Sequence, residues 1–295
     1  MNTISLPPYA PVLMESTRAI GYSIEAAIAD LIDNSIVAKA SSVDIDFFPI
    51  GEAYISIFDN GCGMDKNTLI NAMKYGSRNS LDVRDENDLG RYGLGLKMAS
   101  MSQCRILTVI SKQNGETNGC QWNLDYIANE SKDWSLILLD EETLEQFPNY
   151  EKIKNAEHGT LIIWQNLDRL AVGESQIEKV FRDKMAIIRE HLSLVFHRYI
   201  SGETGLIKLN IRMNARSIEP IDPFLTKKST QLMDEEIIVV RGKKVKVKPF
   251  ILPHTSKLTK AELIQLGGKD GLRKLQGLSL IHISEPTRLR CICFS

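Results

Sequence analysis

The chain contains 295 residues, of which 43% are hydrophobic and 25% are charged, and its formal net charge is -1. These proportions are typical of soluble globular proteins and exclude disordered, fibrous and membrane compositions. Because 36 Lys and Arg residues face 37 Asp and Glu residues, the overall charge gives no reason to expect tight binding to a polyanion. The length favours two domains.

The N-terminus has no basic stretch followed by an apolar core, and no window approaches the roughly 18 apolar residues of a membrane span. The sequence therefore predicts no membrane contact and a cytoplasmic location. The five cysteines show neither C-x-x-C spacing nor a partnering histidine cluster, which disfavours both disulfides and a zinc site.

The first half of the chain predicts alternating helices and strands. Residues 1–21 are Pro-rich and predicted to be irregular, and a helix follows Ser23, which is a candidate cap. Residues 43–48 and 53–58 alternate in polarity and predict a β-hairpin. Residues 65–75 and 96–104 look helical, and the polar, glycine-rich residues between them indicate a loop or lid. Strands at 105–112, 119–124, 134–139 and 160–165 then complete an α+β sandwich.

The second half of the chain predicts a long amphipathic helix over residues 177–199, just after a loop at 168–174. Strands at 206–213 and 237–250 and a helix at 257–266 indicate the start of a second α/β domain. The division predicted from these patterns is 1–170, 171–277 and a tail at 278–295.

The first candidate site lies on the helix segment IEAAIADLIDNS, where Asp30 and Asn34 share one face because they are four residues apart. A hydrated magnesium ion accepts one or two oxygen ligands from a protein, so Asn34 fits a ligand and Asp30 could orient an attacking water. Taken alone, a solvated polar helix face explains the pair better.

The second candidate site is DNGCGM, residues 59–64, directly after an apolar strand. Glycines at 61 and 63 let the backbone turn sharply and approach a ligand, and Asp59 could accept a hydrogen bond from an exocyclic amine such as that of adenine. The alternative is an ordinary turn after a strand, because Asp-Asn-Gly is a strong turn signal.

The third candidate site is GRYGLGLKMAS, in which Gly90, Gly93 and Gly95 precede an apolar helix that carries Lys97. Free backbone amides at a helix N-terminus bind anions, and the lysine adds a charge for a phosphate. The P-loop string is absent, and no βαβ unit supports dinucleotide binding. Finally, Thr160 follows a glycine at the start of an apolar strand, where its hydroxyl could hold a water against a base.

The order and spacing of these four motifs resemble the gyrase, heat-shock chaperone, histidine kinase and MutL (GHKL) superfamily of ATPases, and the motifs look most similar to its MORC and MutL branches. The resemblance implies a Bergerat-type sandwich that binds ATP and Mg²⁺ over residues 1–170. It implies that Asn34 binds magnesium, that Asp30 occupies the general-base position and that Asp59 binds the adenine amine. It also implies roles for residues that line the base, face the phosphates or complete the adenine water network: Gly61, Gly63, Met64, Gly90, Gly93, Gly95, Lys97 and Thr160.

The chain departs from the family at Asp30, where the hydrolysing branches usually have Glu. The lost methylene shortens the reach of a base that must contact its water, so ATP binding is a firmer expectation than hydrolysis. The neighbouring Asp33 points about 100° away from Asn34 on an ideal helix and is the weaker candidate base.

The rest of the chain gives less information about function. By resemblance, residues 171–277 are part of a transducer-like domain, in which no phosphate-contacting lysine can be assigned. The basic strand segment RGKKVKVK and the histidines at 191 and 197 are better explained as surface or packing residues. The last 18 residues resemble a translated sequencing-adapter string, with a natural or disordered tail as the alternative, so further domains are expected to be missing beyond Gly277.

The sequence thus predicts an ATP-driven switch in which lid closure leads to conformational change or homodimerisation. By resemblance, it serves DNA remodelling, repair or defence, with DNA contacts through missing C-terminal regions. A non-hydrolysing ATP-binding module is the main alternative. A histidine-kinase phosphotransfer domain is disfavoured, because too few residues precede the asparagine motif for a dimerising helix pair.

Overall fold

The computed structural model describes residues 4, 8–19, 21–75, 95–170, 177–226, 228, 231–232, 234–240, 243–265, 278–281 and 288–293. The described residues form two compact units. The first contains the residues up to Leu192 together with Tyr199–Ile218, and the second contains Ser193–Arg198 and the residues from Glu219 onward.

The first unit combines helices with one eight-stranded sheet. Its helices are α1 (Ala10–Arg18), α2 (Ile24–Val37), α3 (Lys66–Met73), α4 (Gly95–Met101), α5 (Leu124–Tyr126), α6 (Glu141–Leu144), α7 (Tyr150–Asn155) and most of α8 (Ile177–Val195), and a π-helical turn spans Ile127–Ser131. Its strands are β1 (Ser42–Phe48), β2 (Tyr54–Asp59), β3 (Ile106–Gln113), β4 (Glu116–Asn123), β5 (Ile137–Leu139), β6 (Gly159–Gln165), β7 (Asn210–Met213) and β8 (Arg216–Ser217).

The sheet runs in the order β5-β4-β3-β6-β2-β1-β7-β8. The hairpin predicted for residues 43–58 is confirmed, because β1 and β2 pair antiparallel with Val43 opposite Asp59. The remaining neighbouring strands of this sheet also pair antiparallel, with one exception: β1 and β7 are parallel. The α+β sandwich is therefore confirmed, although β7 comes from the segment that was assigned to the second domain.

The two faces of this sheet carry different groups. One face packs against short helices α6 and α7 through a buried cluster: Ile110, Leu144, Tyr150, Ile153, Leu161 and Ile163. On the other face, α3 lies against β4, where the Trp122 indole N–H donates to the Met73 carbonyl, and α4 packs against both α2 and β3. Those predicted site residues that the structure describes lie on this second face or on the helices beside it.

The prediction that residues 1–21 are irregular is wrong for residues 10–18, which form α1. Pro11 lies in the first turn, where its missing N–H leaves no helical hydrogen bond unmade. Arg18 at the end of α1 is 2% exposed, and its guanidinium donates to the carbonyl of Met101 and to the Asp168 carboxylate. The buried side of α1 is thus anchored by a charged residue, which an apolar pattern does not reveal.

The second unit contains the end of α8, part of α9 (His197–Ser201), α10 (Lys260–Gln265), a 3-10 turn (Thr255–Lys257) and strands β9 (Gln231–Leu232), β10 (Glu236–Val240), β11 (Lys243–Ile251), β12 (Leu278–Ile281) and β13 (Arg288–Cys293). Its core is a small buried cluster, Phe224, Phe250, Leu252 and Leu258. Two of its strands, β12 and β13, come from the tail at 278–295. The division at residues 170 and 277 and the origin of the tail stay predictions. In the part of the chain that the structure describes, no helix is both long and apolar enough to cross a membrane.

Candidate functional site

Helix α2 carries a polar face, and its Ser35 hydroxyl contacts Asp59 at the end of β2. The Ser23 side chain caps the helix by accepting from the Ala26 N–H at 3.4 Å, as the sequence predicted. Asp30 is half-buried and Asn34 is exposed on this face. The exposed amide oxygen of Asn34 is accessible to a ligand.

Partial burial raises the pKa of Asp30, while interaction with the Tyr22 hydroxyl lowers it. The pKa of Asp33 is raised to about 6. The larger cause is the loss of hydration on burial, and the smaller cause is repulsion by the neighbouring Asp30 carboxylate. Part of the Asp33 side chain still reaches water. The helix thus carries two acidic groups whose protonation is linked.

Asp59 lies at the end of β2 and is 6% exposed. Its Oδ1 accepts from the Gly61 N–H at 2.8 Å, and its Oδ2 lies 3.0 Å from the Ser35 hydroxyl of α2. Burial raises the pKa of Asp59, and the two hydrogen bonds oppose that rise. The carboxylate is therefore held in one orientation, as a group that recognises a ligand must be.

The turn after Asp59 has room for backbone only. Gly63 has φ +67°, and a Cβ there would lie 2.0 Å from the Lys112 carbonyl oxygen. At Gly61 a Cβ would lie 2.7 Å from the Ala38 side chain. The His158 ring Nδ1 contacts the Gly61 carbonyl oxygen at 2.6 Å and holds this peptide from the other side.

A row of polar side chains crosses the sheet beside this turn. Thr160 on β6 is the register partner of both Asp59 on β2 and Ser111 on β3. Directly opposite residues of an antiparallel sheet point to the same face, so the three side chains lie together. Ser111 is fully buried and accepts from the Met64 N–H at 2.8 Å. The structure therefore brings together Asp59, Gly61, Gly63, Met64 and Thr160, and their roles in binding a base stay predictions.

Lys97 is the first-turn lysine of α4 and is 1% exposed. Its Nζ donates to the carbonyl of Ala72, one of the last carbonyls of α3, which have no partner within that helix. Burial lowers the pKa of Lys97 to about 8. Gly95 begins α4 and is exposed, whereas Gly90 and Gly93 lie outside the described residues. The phosphate-facing role of these four residues stays a prediction.

Replacing Lys97 with Met should stabilise the protein in the absence of ligand. The folded-state pKa of about 8 lies below the value of 10.5 for an exposed lysine, so folding disfavours the charged form. We expect a gain of about 1–3 kcal/mol in the free energy of unfolding below pH 8, shrinking as the pH rises from 8 towards 10.5. Urea denaturation at pH 7 and pH 10 measures both values. Lys74 is exposed, so Lys74→Met should leave the free energy of unfolding unchanged at both pH values. An equal gain from Lys97→Met at pH 7 and pH 10 would contradict the prediction.

Sequence reasoning missed four residues that shape the site: Tyr22, Ser35, Ser111 and His158. Ser35 follows Asn34 directly in the sequence. Because α2 lies next to the strand that ends at Asp59, this adjacency to Asn34 was the signal that could have found Ser35. Ser111 and His158 act through partners distant in sequence, such as Ser111 with Thr160, which are 49 residues apart. No local pattern reports such contacts.

Residues 22–160 match the family described as histidine kinase-, DNA gyrase B- and HSP90-like ATPase, so this part of the chain is a domain of that ATPase family. The match covers the helix with Asn34 and the turn after Asp59, and it ends at Thr160, the second residue of β6. The resemblance drawn from the four motifs is therefore confirmed.

Relatives from both predicted branches are similar to the chain. ATPase morc-1 of Caenorhabditis elegans is 33% identical over 91 residues, 30% of this chain and 10% of that protein. DNA mismatch repair protein PMS1 of Arabidopsis thaliana is 32% identical over 95 residues, 32% of this chain and 10% of that protein. DNA mismatch repair protein MutL of Endomicrobium trichonymphae is 29% identical over 100 residues, 33% of this chain and 16% of that protein. The alignments thus span less than a fifth of each of these relatives.

Proposed function

We propose that the first unit binds ATP with Mg²⁺ in the cleft between α2 and the sheet. The observation that carries the proposal is the fixed Asp59 carboxylate beside Thr160, because a buried acceptor with both oxygens already oriented suits an exocyclic amine. Asn34 offers an exposed amide oxygen on the α2 face. This donor set fits Mg²⁺, which is commonly held by one or two protein oxygens together with substrate phosphates and waters.

We further propose that the protein hydrolyses ATP slowly, with Asp30 as the base. The names of the relatives include an ATPase and DNA mismatch repair proteins, which supports a role in DNA remodelling, repair or defence. In this proposal nucleotide binding closes the lid predicted between Gly76 and Gly95, of which residues 76–94 lie outside the described residues, and promotes homodimerisation. DNA contacts through further domains and a cytoplasmic location remain predictions.

Calorimetric titration with ATP, with and without Mg²⁺, tests the proposal. We expect Asp59→Asn to weaken ATP binding about 100-fold, because a charged hydrogen bond to the base is lost. We expect Asn34→Ala to abolish the additional affinity that Mg²⁺ provides. Asp46→Asn is the matched control, since Asp46 lies on the opposite face of the sheet, where it pairs with Lys152. Folded wild-type protein that binds no ATP at millimolar concentration would refute the proposal.

A non-hydrolysing ATP-binding module is the second candidate, and Asp30 is the observation that favours it. A carboxylate shorter than the family's Glu reaches less far into the cleft. Substitution of Asp30 by Glu separates the two functions. A gain of phosphate release would show a pocket built for hydrolysis and limited by reach, whereas no release from either protein would favour the binding module.

A further inference from the structure

Three buried polar side chains lie next to one another on the cleft face of the sheet. They stand in register on adjacent strands: Asp59 on β2, Thr160 on β6 and Ser111 on β3. Their exposed fractions are 6%, 8% and 0%. Directly opposite side chains of an antiparallel pair have Cβ atoms about 4.5–5.5 Å apart, so each member of the row can influence the next.

The hydrogen bonds of Ser111 determine which way its proton points. A hydroxyl has one proton to donate and two lone pairs to accept with. One lone pair accepts from the Met64 N–H at 2.8 Å. The Gly159 carbonyl oxygen lies 3.0 Å away and can only accept, and the Thr160 hydroxyl also lies at 3.0 Å. When the Ser111 proton is bonded to Gly159, the bond between the two hydroxyls must be donated by Thr160.

We propose that Ser111 is a positioning residue that makes Thr160 a hydrogen-bond acceptor and thereby sets the base specificity of the site. With its proton committed to Ser111, Thr160 presents only lone pairs to the cleft. Asp59 beside it is also an acceptor. When the 6-position of a purine is directed at them, two neighbouring acceptors match the two N–H groups of a 6-amino group and repel the carbonyl oxygen of a 6-oxo group. This inference rests on the proposed function and identifies the residue that enforces the choice of adenine over guanine.

Substitution of Ser111 by Ala frees the Thr160 proton to point into the cleft. Thr160 can then donate to a 6-oxo group, so the ratio of ATP affinity to GTP affinity should fall about tenfold, which corresponds to one neutral hydrogen bond. The conservative variant Ser111→Thr keeps the hydroxyl and should restore the wild-type ratio. A residue that only stabilises the fold would not change the ratio, because both nucleotides would lose affinity together.

The experiment measures ATP and GTP affinity by calorimetry for wild type, Ser111→Ala, Ser111→Thr, Thr160→Val and the double variant. The control is Ser56→Ala, because Ser56 is an equally buried serine on the opposite face, where it accepts from Asn149. Thr160→Val should lower the ratio by itself, and Ser111→Ala should then have no further effect on it. If Ser111→Ala fails to fold, Thr160→Val still tests whether Thr160 sets the ratio, without which the inference fails.

An affinity ratio unchanged by Ser111→Ala or by Thr160→Val would overturn the inference alone. The same holds if both substitutions lower the ratio but their effects add in the double variant, because Ser111 would then not act through Thr160. Wild-type protein that binds neither nucleotide would overturn the proposed function, and the inference with it.

Discussion

Gly63→Ala is expected to abolish nucleotide binding and to lower the free energy of unfolding by about 3 kcal/mol or more. The left-handed φ of +67° costs about 1–2 kcal/mol with any Cβ present. The added Cβ would also lie 2.0 Å from the Lys112 carbonyl oxygen, which belongs to the backbone of β3 and cannot rotate away. The turn must therefore move, and with it the Met64 N–H that bonds Ser111.

Gly115→Ala separates the two contributions. Gly115 also has a left-handed φ, +82°, but a Cβ there would meet nothing within 4 Å. This variant should lose only the conformational part, about 1–2 kcal/mol, and keep full ATP affinity. Urea denaturation and calorimetry with ATP measure both effects. Equal losses of stability in the two variants would mean that the close approach to Lys112 does not matter.

Local patterns predicted those parts of the fold that depend on neighbours in sequence. The β1–β2 hairpin followed from alternation and a short connection, and α2 followed from apolar spacing behind Ser23. The four motifs could be recognised from the sequence because the residues that form each motif are close together in the chain. In Asp59 to Gly63, for example, the acceptor and the sharp turn belong to the same few residues.

Contacts between distant segments could not be predicted in the same way. The end of α1 depends on Arg18, whose partners Met101 and Asp168 lie far along the chain. Alternation indicated which residues of each strand share a face, but it could not specify the register of β3 against β6. That register decides whether Thr160 has a serine or an apolar residue beside it, and it therefore controls the chemistry of the cleft.

Asp30→Asn is expected to lower the rate of phosphate release from ATP by about 10²–10⁴-fold, the usual contribution of a general base. An amide cannot take the proton of an attacking water, but it keeps the shape of the carboxylate, so ATP affinity should be unchanged. Single-turnover phosphate release measures the rate, and calorimetry on the same samples measures binding. A matching loss of affinity would show that Asp30 holds the nucleotide and does not act on water.

Asp33→Asn is the matched control, because Asp33 is the other acid of the α2 face and its pKa is also raised. If Asp33→Asn alone stops phosphate release, the base is Asp33. Tyr22→Phe gives an independent check on Asp30. Interaction with the Tyr22 hydroxyl lowers the pKa of Asp30, so its removal should raise that pKa. Because the base acts only when ionised, the acid limb of the pH–rate profile should then move to higher pH. A base at Asp33 would not show this move, because a more protonated Asp30 repels the Asp33 carboxylate less and lowers its pKa.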